Sequence, residues 1–171
     1  LALHGLSLAR RLVVGITNPD PDRRVAHPSS AHRHTDAANP LDFGRRAQLF
    51  DAALRAAGVA ADRFEIVPFP LEDPSAWAAL LPPGTPQLVR VFGDWEREKV
   101  RRFAAAGPPP IVLEGDPATR LCATDVRQRI RDGGRWQDLV PPGARELLDD
   151  WLRHAALRSA FALPAHGDAH A

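Results

Sequence analysis

Between Thr119 and Arg131 the chain reads TRLCATDVRQRIR, a polar turn that opens directly into a basic amphipathic helix. The first backbone N–H groups of a helix have no intrahelical acceptor, and the aligned peptide dipoles add partial positive charge there, so an anion is welcome at that end. Thr124 and Arg127 stand three positions apart and share a helical face. Their hydroxyl and guanidinium converge on whatever the helix N-terminus holds, with Arg120 arriving from the preceding turn and Arg129 and Arg131 close by. Such donors suit a triphosphate. Taken alone, the same residues also describe an N-capped surface helix with solvated arginines.

The elements that must position this segment separate the two readings. Leu1 to Arg11 has apolar residues at 1, 3, 6 and 8 and arginines at its end, the pattern of a helix's last turns. Leu12 to Thr17, LVVGIT, is a β-branched run closed by Asn18, Pro19 and Asp20, and reads as a buried parallel strand. A polar, proline-punctuated loop bearing histidines follows to Asn39. Leu41 to Ala57 is an amphipathic helix, with Phe43, Ala47, Phe50, Leu54 and Ala57 at helical spacing, Asp42 as N-cap and Gly58 as its stop. Phe64 to Phe69 reads as a strand, followed by a loop holding Trp77. Leu88 to Phe92 is the next strand, and Gly93 and Asp94 turn into a helix reaching about Ala106. Ile111 to Glu114 is the last strand, and the Thr124 helix and a helix from Gly143 to His154 close the domain. Trp77, Trp136 and Trp151 read as packing residues.

Strands alternating with helices at this spacing predict an α/β fold over residues 1–162, a Rossmann-like parallel sheet with helices on both faces, and a flexible tail from Leu163 to Ala171 that carries His166 and His170. Ligands of such sheets sit beyond the carboxyl ends of the strands. The loop after Thr17, the Gly93–Asp94 turn and the Thr124 helix then share one rim, and that favours the phosphate reading.

With 171 residues, 44% of them hydrophobic and 25% charged, and a net charge of +1, the chain is one globular domain without the basic excess of a nucleic-acid binder. One cysteine, Cys122, excludes an internal disulfide framework and points to a reducing cytoplasm. No Cys/His cluster has structural zinc spacing. His4, Arg10 and Arg11 interrupt the apolar start, which is neither a membrane span nor a signal peptide. There is no methionine, so the native chain is expected to continue upstream, with a further strand before the first helix.

In their order and spacing the motifs resemble the nucleotidyltransferase superfamily, nearest its nicotinamide-nucleotide adenylyltransferase-like branch. LVVGIT with its loop resembles that family's second strand, and HTDAANPLDFGRRAQLF (His34 to Phe50) its H-T-x-x-N-P-F-T-x-x-E-R helix start. CATDVRQRI (Cys122 to Ile130) resembles the closing S-x-T-x-x-R motif, and GRWQDLVP (Gly134 to Pro141) the stretch after it. The family's H-x-G-H motif lies between its first strand and first helix, and the resemblance implies that the native polypeptide carries it upstream of Leu1. His32 and His34 sit in a loop at which no helix starts, and are not read as its substitute.

The resemblance implies in-line attack by a phosphate or phosphonate oxygen of a small-molecule acceptor on the α-phosphorus of ATP or CTP, releasing pyrophosphate. Mg2+ would share the charge, and no protein nucleophile is needed. It implies Thr124 and Arg127 as the catalytic residues, on the β- and γ-phosphates. Gly15, Thr17, Arg46, Gly93, Asp94, Trp95, Arg120 and Cys122 follow as nucleotide contacts, Cys122 standing where the family has serine, and no side chain is assigned to the metal. Asp94 and Trp95 replace a G-N-P-like turn and would change which ring is read, so a branch attaching cytidylyl groups to phosphonates fits as well as nicotinamide mononucleotide. Lys99, the single lysine, falls in the run EREKVRR and reads as solvated. A non-catalytic nucleotide-binding module, a domain of a larger fused enzyme and a homo-oligomer all stay open. Neither nucleic acid nor membrane is expected as a partner.

Overall fold

Two β–α–β units frame the computed structural model, which describes residues 1–26 and 34–162. Strand β1 (Leu12–Ile16) pairs in parallel with β2 (Phe64–Pro68), the chain crossing through helix α2 (Phe43–Ala56). Strand β3 (Leu88–Val91) pairs in parallel with β4 (Ile111–Glu114), crossing through α4 (Asp94–Ala106). In register, Leu12 stands beside Phe64 and Leu88 beside Ile111. β1 and β3 are not hydrogen-bonded neighbours, so the described strands form two parallel two-stranded ladders and not one continuous sheet. Helix α1 (Ala2–Leu8) touches both. A Cβ at its buried Gly5 would lie 3.1 Å from Leu12 and 3.3 Å from Leu88.

Local chemistry sets the helix ends. The Asp42 carboxylate accepts from the Arg45 backbone N–H at 2.7 Å, capping α2, and Gly58 takes a φ of 80° just past its end. Two buried clusters hold the elements together. In the first, Phe69, Trp77 and Phe103 pack ring to ring at 5.1–6.1 Å beside Leu71, Val89 and Val91. The Trp77 indole N–H is satisfied by the Pro70 carbonyl at 2.9 Å. The second gathers Leu41, Trp136, Leu148 and Phe161 with Leu49, Val126 and Trp151. It joins α2 to α5 (Ala123–Arg131), α6 (Pro142–Leu152) and α7 (Ala155–Ala162). Helix α6 approaches α2 so closely that a Cβ at Gly143 would fall 2.2 Å from the Ala52 carbonyl oxygen.

Two short elements depart from the sequence reading. Trp77–Leu80 forms a helix, α3, where a loop was expected, because burial of Trp77 winds the segment down onto the first cluster. Helix α7 continues past His154, and its buried Phe161, four residues after Leu157, is what docks it. The expected tail, 163–171, lies outside the described residues, as does His32. Among the described residues no helix is long and apolar enough to cross a membrane.

Candidate active site

Beyond the carboxyl end of β1, and against the N-terminus of α5, lies a pocket of about 220 Å3. Thr17 and Asn18 follow β1 into its wall, Ala38 and Asn39 come from the loop before α2, and Leu71 and Glu72 follow β2. Helix α4 contributes Trp95 and Lys99, and α5 contributes Cys122, Ala123, Thr124 and Arg127. Three strand-to-helix junctions and one helix N-terminus therefore meet at one cavity, in the place where parallel α/β units bind ligands.

The start of α5 is fixed by its own sequence. The Asp125 carboxylate reaches back to accept from the Cys122 backbone N–H at 2.9 Å. That bond, with the Cys122 side chain also contributing, holds the Asp125 carboxyl below the usual carboxylate range. One turn on, the Arg127 guanidinium is buried and donates through Nη2 to Thr124 Oγ1 at 2.9 Å and through Nη1 to the Ala38 carbonyl at 3.2 Å. The predicted convergence of hydroxyl and guanidinium is thus a direct hydrogen bond. A hydroxyl that accepts from a guanidinium keeps its own proton to donate. Thr124 and the first amides of α5 then offer N–H and O–H donors beside a positive charge, a set suited to an oxyanion.

Arg46 takes a different position from a cleft-facing side chain. Its Nη1 donates to the Thr17 carbonyl at 2.7 Å and its Nη2 to the Asn18 carbonyl at 2.6 Å, so the fork clamps the turn that ends β1. Burial, reinforced by the neighbouring Arg24 charge, draws its pKa down. Asn18, held this way at φ 50°, is in the left-handed region that asparagine tolerates better than most side chains. Arg46 thus shapes the pocket through backbone it holds and does not line it.

Of the other predicted contacts, Thr17, Trp95, Cys122, Thr124 and Arg127 share the pocket wall. Gly15, Gly93, Asp94 and Arg120 stand outside it. A Cβ at Gly15 would meet Phe69 at 2.9 Å, which ties that glycine to packing between β1 and the end of β2. Gly93 caps α4, and Asp94 is its exposed first residue. Arg120 pairs with the buried Glu96 at 3.2 Å and lies 5.4 Å from the Phe92 ring centroid, joining α4 to the turn before α5. His34 does not line the pocket either.

Asn18, Asn39, Glu72 and Lys99 were not singled out for the site from sequence. Lys99 had a usable signal, since it falls four positions after Trp95 and shares its helix face; its Nζ lies 5.9 Å from the Trp95 ring centroid. The others come from loops whose position depends on the fold. For a divalent ion the residues present build no cage: among the described residues no group of three or more His, Cys, Asp or Glu side chains gathers, and the pocket carboxylate Glu72 is paired with Arg102 at 2.5 Å.

No family model matches the chain. It is 34% identical over 148 residues to phosphonoformate cytidylyltransferase of Streptomyces viridochromogenes, covering 86% of this chain and 80% of that protein. In fold it is similar to the bifunctional NMN adenylyltransferase/ADP ribose pyrophosphatase of Francisella tularensis, with a TM-score of 0.62 at 14% identity over 94% of this chain. A second structure of that enzyme, complexed with AMP and a manganese ion, gives a TM-score of 0.60. The chain spans 46% of the length of those two-part enzymes, and the likeness to them is one of fold. The sequence identity goes further, and with the α/β frame it establishes that the chain belongs to the nucleotidyltransferase superfamily, in the family of phosphonoformate cytidylyltransferase.

Proposed function

We propose that the protein transfers a cytidylyl group from CTP to the phosphonate of a small acceptor and releases pyrophosphate. The observation that carries this reading is the pocket in which the Thr124–Arg127 pair at the α5 N-terminus meets Trp95 and Lys99 of α4. An acceptor phosphonate oxygen attacks the α-phosphorus in line. The bond from that phosphorus to the oxygen bridging to the β-phosphate breaks, and pyrophosphate leaves with the electron pair. An ionised phosphonate has no proton to give up, so no general base is required.

The work of the protein is to hold two anions in line and to neutralise charge on the leaving group. The amides of Ala123 and Thr124, the Thr124 hydroxyl and Arg127 hold the β- and γ-phosphates. Thr17 and Asn18, whose backbone Arg46 fixes, line the β1 side of the same cavity. Trp95 and Cys122, in the same wall, neighbour the nucleotide or the acceptor, and Gly93, Asp94 and Arg120 flank them in the chain. A divalent ion such as Mg2+, carried in with the triphosphate, would supply further charge neutralisation beside Thr124 and Arg127.

Adenylyl transfer to nicotinamide mononucleotide is the second reading, favoured by the Trp95 indole at the pocket wall, which offers a ring a stacking face. Pyrophosphate release by the full-length protein decides between them, with CTP and ATP each crossed against phosphonoformate and nicotinamide mononucleotide. Release only with CTP and the phosphonate supports the first reading, and release with ATP and the mononucleotide the second. Nucleotide binding without release in any combination refutes both and leaves a non-catalytic module.

A further inference from the structure

Among the described residues, the pocket wall carries two cations on two different helices, Arg127 from α5 and Lys99 from α4. Arg127 is committed to the α5 N-terminus by its bonds to Thr124 and the Ala38 carbonyl. The carboxylate that the described residues place in the wall, Glu72, is ion-paired at 2.5 Å with Arg102, which also binds Glu98 at 3.1 Å. The repulsion Glu72 would exert on an incoming anion is therefore offset on its own side of the pocket. The Lys99 ammonium lies 5.9 Å from the Trp95 ring centroid, a position that supports a cation in the same wall.

Residue type adds to position. The chain has 22 basic residues and every one except Lys99 is arginine. An ammonium is a compact point charge with three donors, whereas a guanidinium is a broad planar fork. At a cavity of about 220 Å3 that must also admit part of a triphosphate, the compact group leaves room for a small acceptor.

We propose that Lys99 reads the acceptor, donating to the carboxylate of a small phosphonocarboxylate whose phosphonate oxygen is turned toward the α-phosphorus. This rests on the phosphonate-transfer reading of the pocket and names the group that selects its substrate. The two anionic groups of such an acceptor are only one bond or two apart. With the α5 donors occupied by the triphosphate, the second anion needs a cation from another element, and α4 supplies it.

The test is calorimetric titration of phosphonoformate and of methylphosphonate, which lacks the carboxylate, into the full-length protein held with a non-hydrolysable CTP analogue. The wild type is compared with Lys99→Met, which keeps the aliphatic stem against Trp95, and with Lys99→Arg. Loss of a charge-assisted hydrogen bond predicts a fall in phosphonoformate affinity of about 10- to 100-fold in Lys99→Met, with partial rescue by Lys99→Arg. Methylphosphonate affinity and CTP-analogue affinity are expected to be unchanged. An equal loss for both phosphonates, no loss for either, a wild type that binds phosphonoformate no better than methylphosphonate, or a loss confined to the nucleotide would overturn the assignment. A wild type that holds phosphonoformate through Lys99 but releases no pyrophosphate from CTP would refute the transferase reading and leave this assignment standing.

Discussion

Replacing Arg127 by alanine separates a guanidinium that stabilises the reaction from one that only braces the fold. The side chain is buried, with 8% of the residue exposed, and it makes hydrogen bonds of 2.9 and 3.2 Å to Thr124 Oγ1 and the Ala38 carbonyl. Its loss leaves that hydroxyl and carbonyl short of a donor beside a cavity that water can enter, at a cost of about 1–3 kcal/mol. For a chain of this length such a cost lowers Tm by roughly 2–4 °C per kcal/mol. The catalytic consequence is larger. A preorganised donor on developing charge is worth on the order of 10² to 10³ in rate. Arg127→Ala is therefore expected to lower kcat/KM by at least that factor when assayed well below its own Tm. Arg129→Ala is the control, since that guanidinium donates to the Arg135 carbonyl at 3.0 Å and does not line the pocket. Its activity should stay within a factor of about two. Thr124→Val completes a double-mutant cycle with Arg127→Ala, and the two should couple by about 0.5–3 kcal/mol because they form one hydrogen-bonded unit. Stopped-flow pyrophosphate release gives kcat and KM, and thermal melts give stability. If Arg127→Ala loses its stability increment but keeps kcat/KM within threefold of wild type, the phosphate assignment of α5 is refuted and Arg127 is a strut.

The remaining predictions concern the groups that hold the pocket in shape. Arg46→Ala frees the Thr17 and Asn18 carbonyls, so it should raise KM for the nucleotide and lower Tm together, whereas a rise in KM with no change in melting would show direct substrate contact instead. The depressed pKa of Asp125 means that its cap contributes stability above the ordinary carboxylate pKa and loses it as pH falls through the lower native value. Thermal melts across the acid range should therefore show Asp125→Asn less stable than wild type at neutral pH, the two converging as pH drops. A Cβ at position 143 would fall 2.2 Å from the Ala52 carbonyl oxygen, so Gly143→Ala should force α6 off α2 and cost about 1–3 kcal/mol or more in denaturant unfolding. Its kcat below the melting range should be nearly unchanged, because neither Gly143 nor Ala52 lines the pocket.

The regular elements were legible because each carries its own signal. LVVGIT and IVLE are short apolar runs bounded by turn residues, and α2 has a cap, a stripe and a terminating glycine within one stretch of sequence. Helix α7 was harder to see because its evidence is Leu157 and Phe161 alone, and those matter only once α5 and α6 present a surface to receive them. Trp77 read correctly as a packing residue, but its segment winds into α3 only because the Phe69 and Phe103 rings are waiting above it.

The site divides in the same way. The meeting of Thr124 and Arg127 at the α5 N-terminus could be read from one stretch of residues, since it depends on helix phase alone. Arg46 and Lys99 could not be ranked, since the question for each is which loop its helix face meets. Arg46 belongs to a helix that packs against β1, so its fork reaches the two carbonyls where that strand ends and is used up in holding them. Lys99 belongs to a helix that carries the Glu98–Arg101 and Glu98–Arg102 pairs, and the run EREKVRR conceals that position 99 lines the cavity with Trp95, one turn before it. Local charge patterning describes a helix in water. Which of its cations reaches a cavity is decided by the neighbouring junction, and here the junction after β2 sets Glu72 against Arg102 while Lys99 lies with Trp95 in the pocket wall.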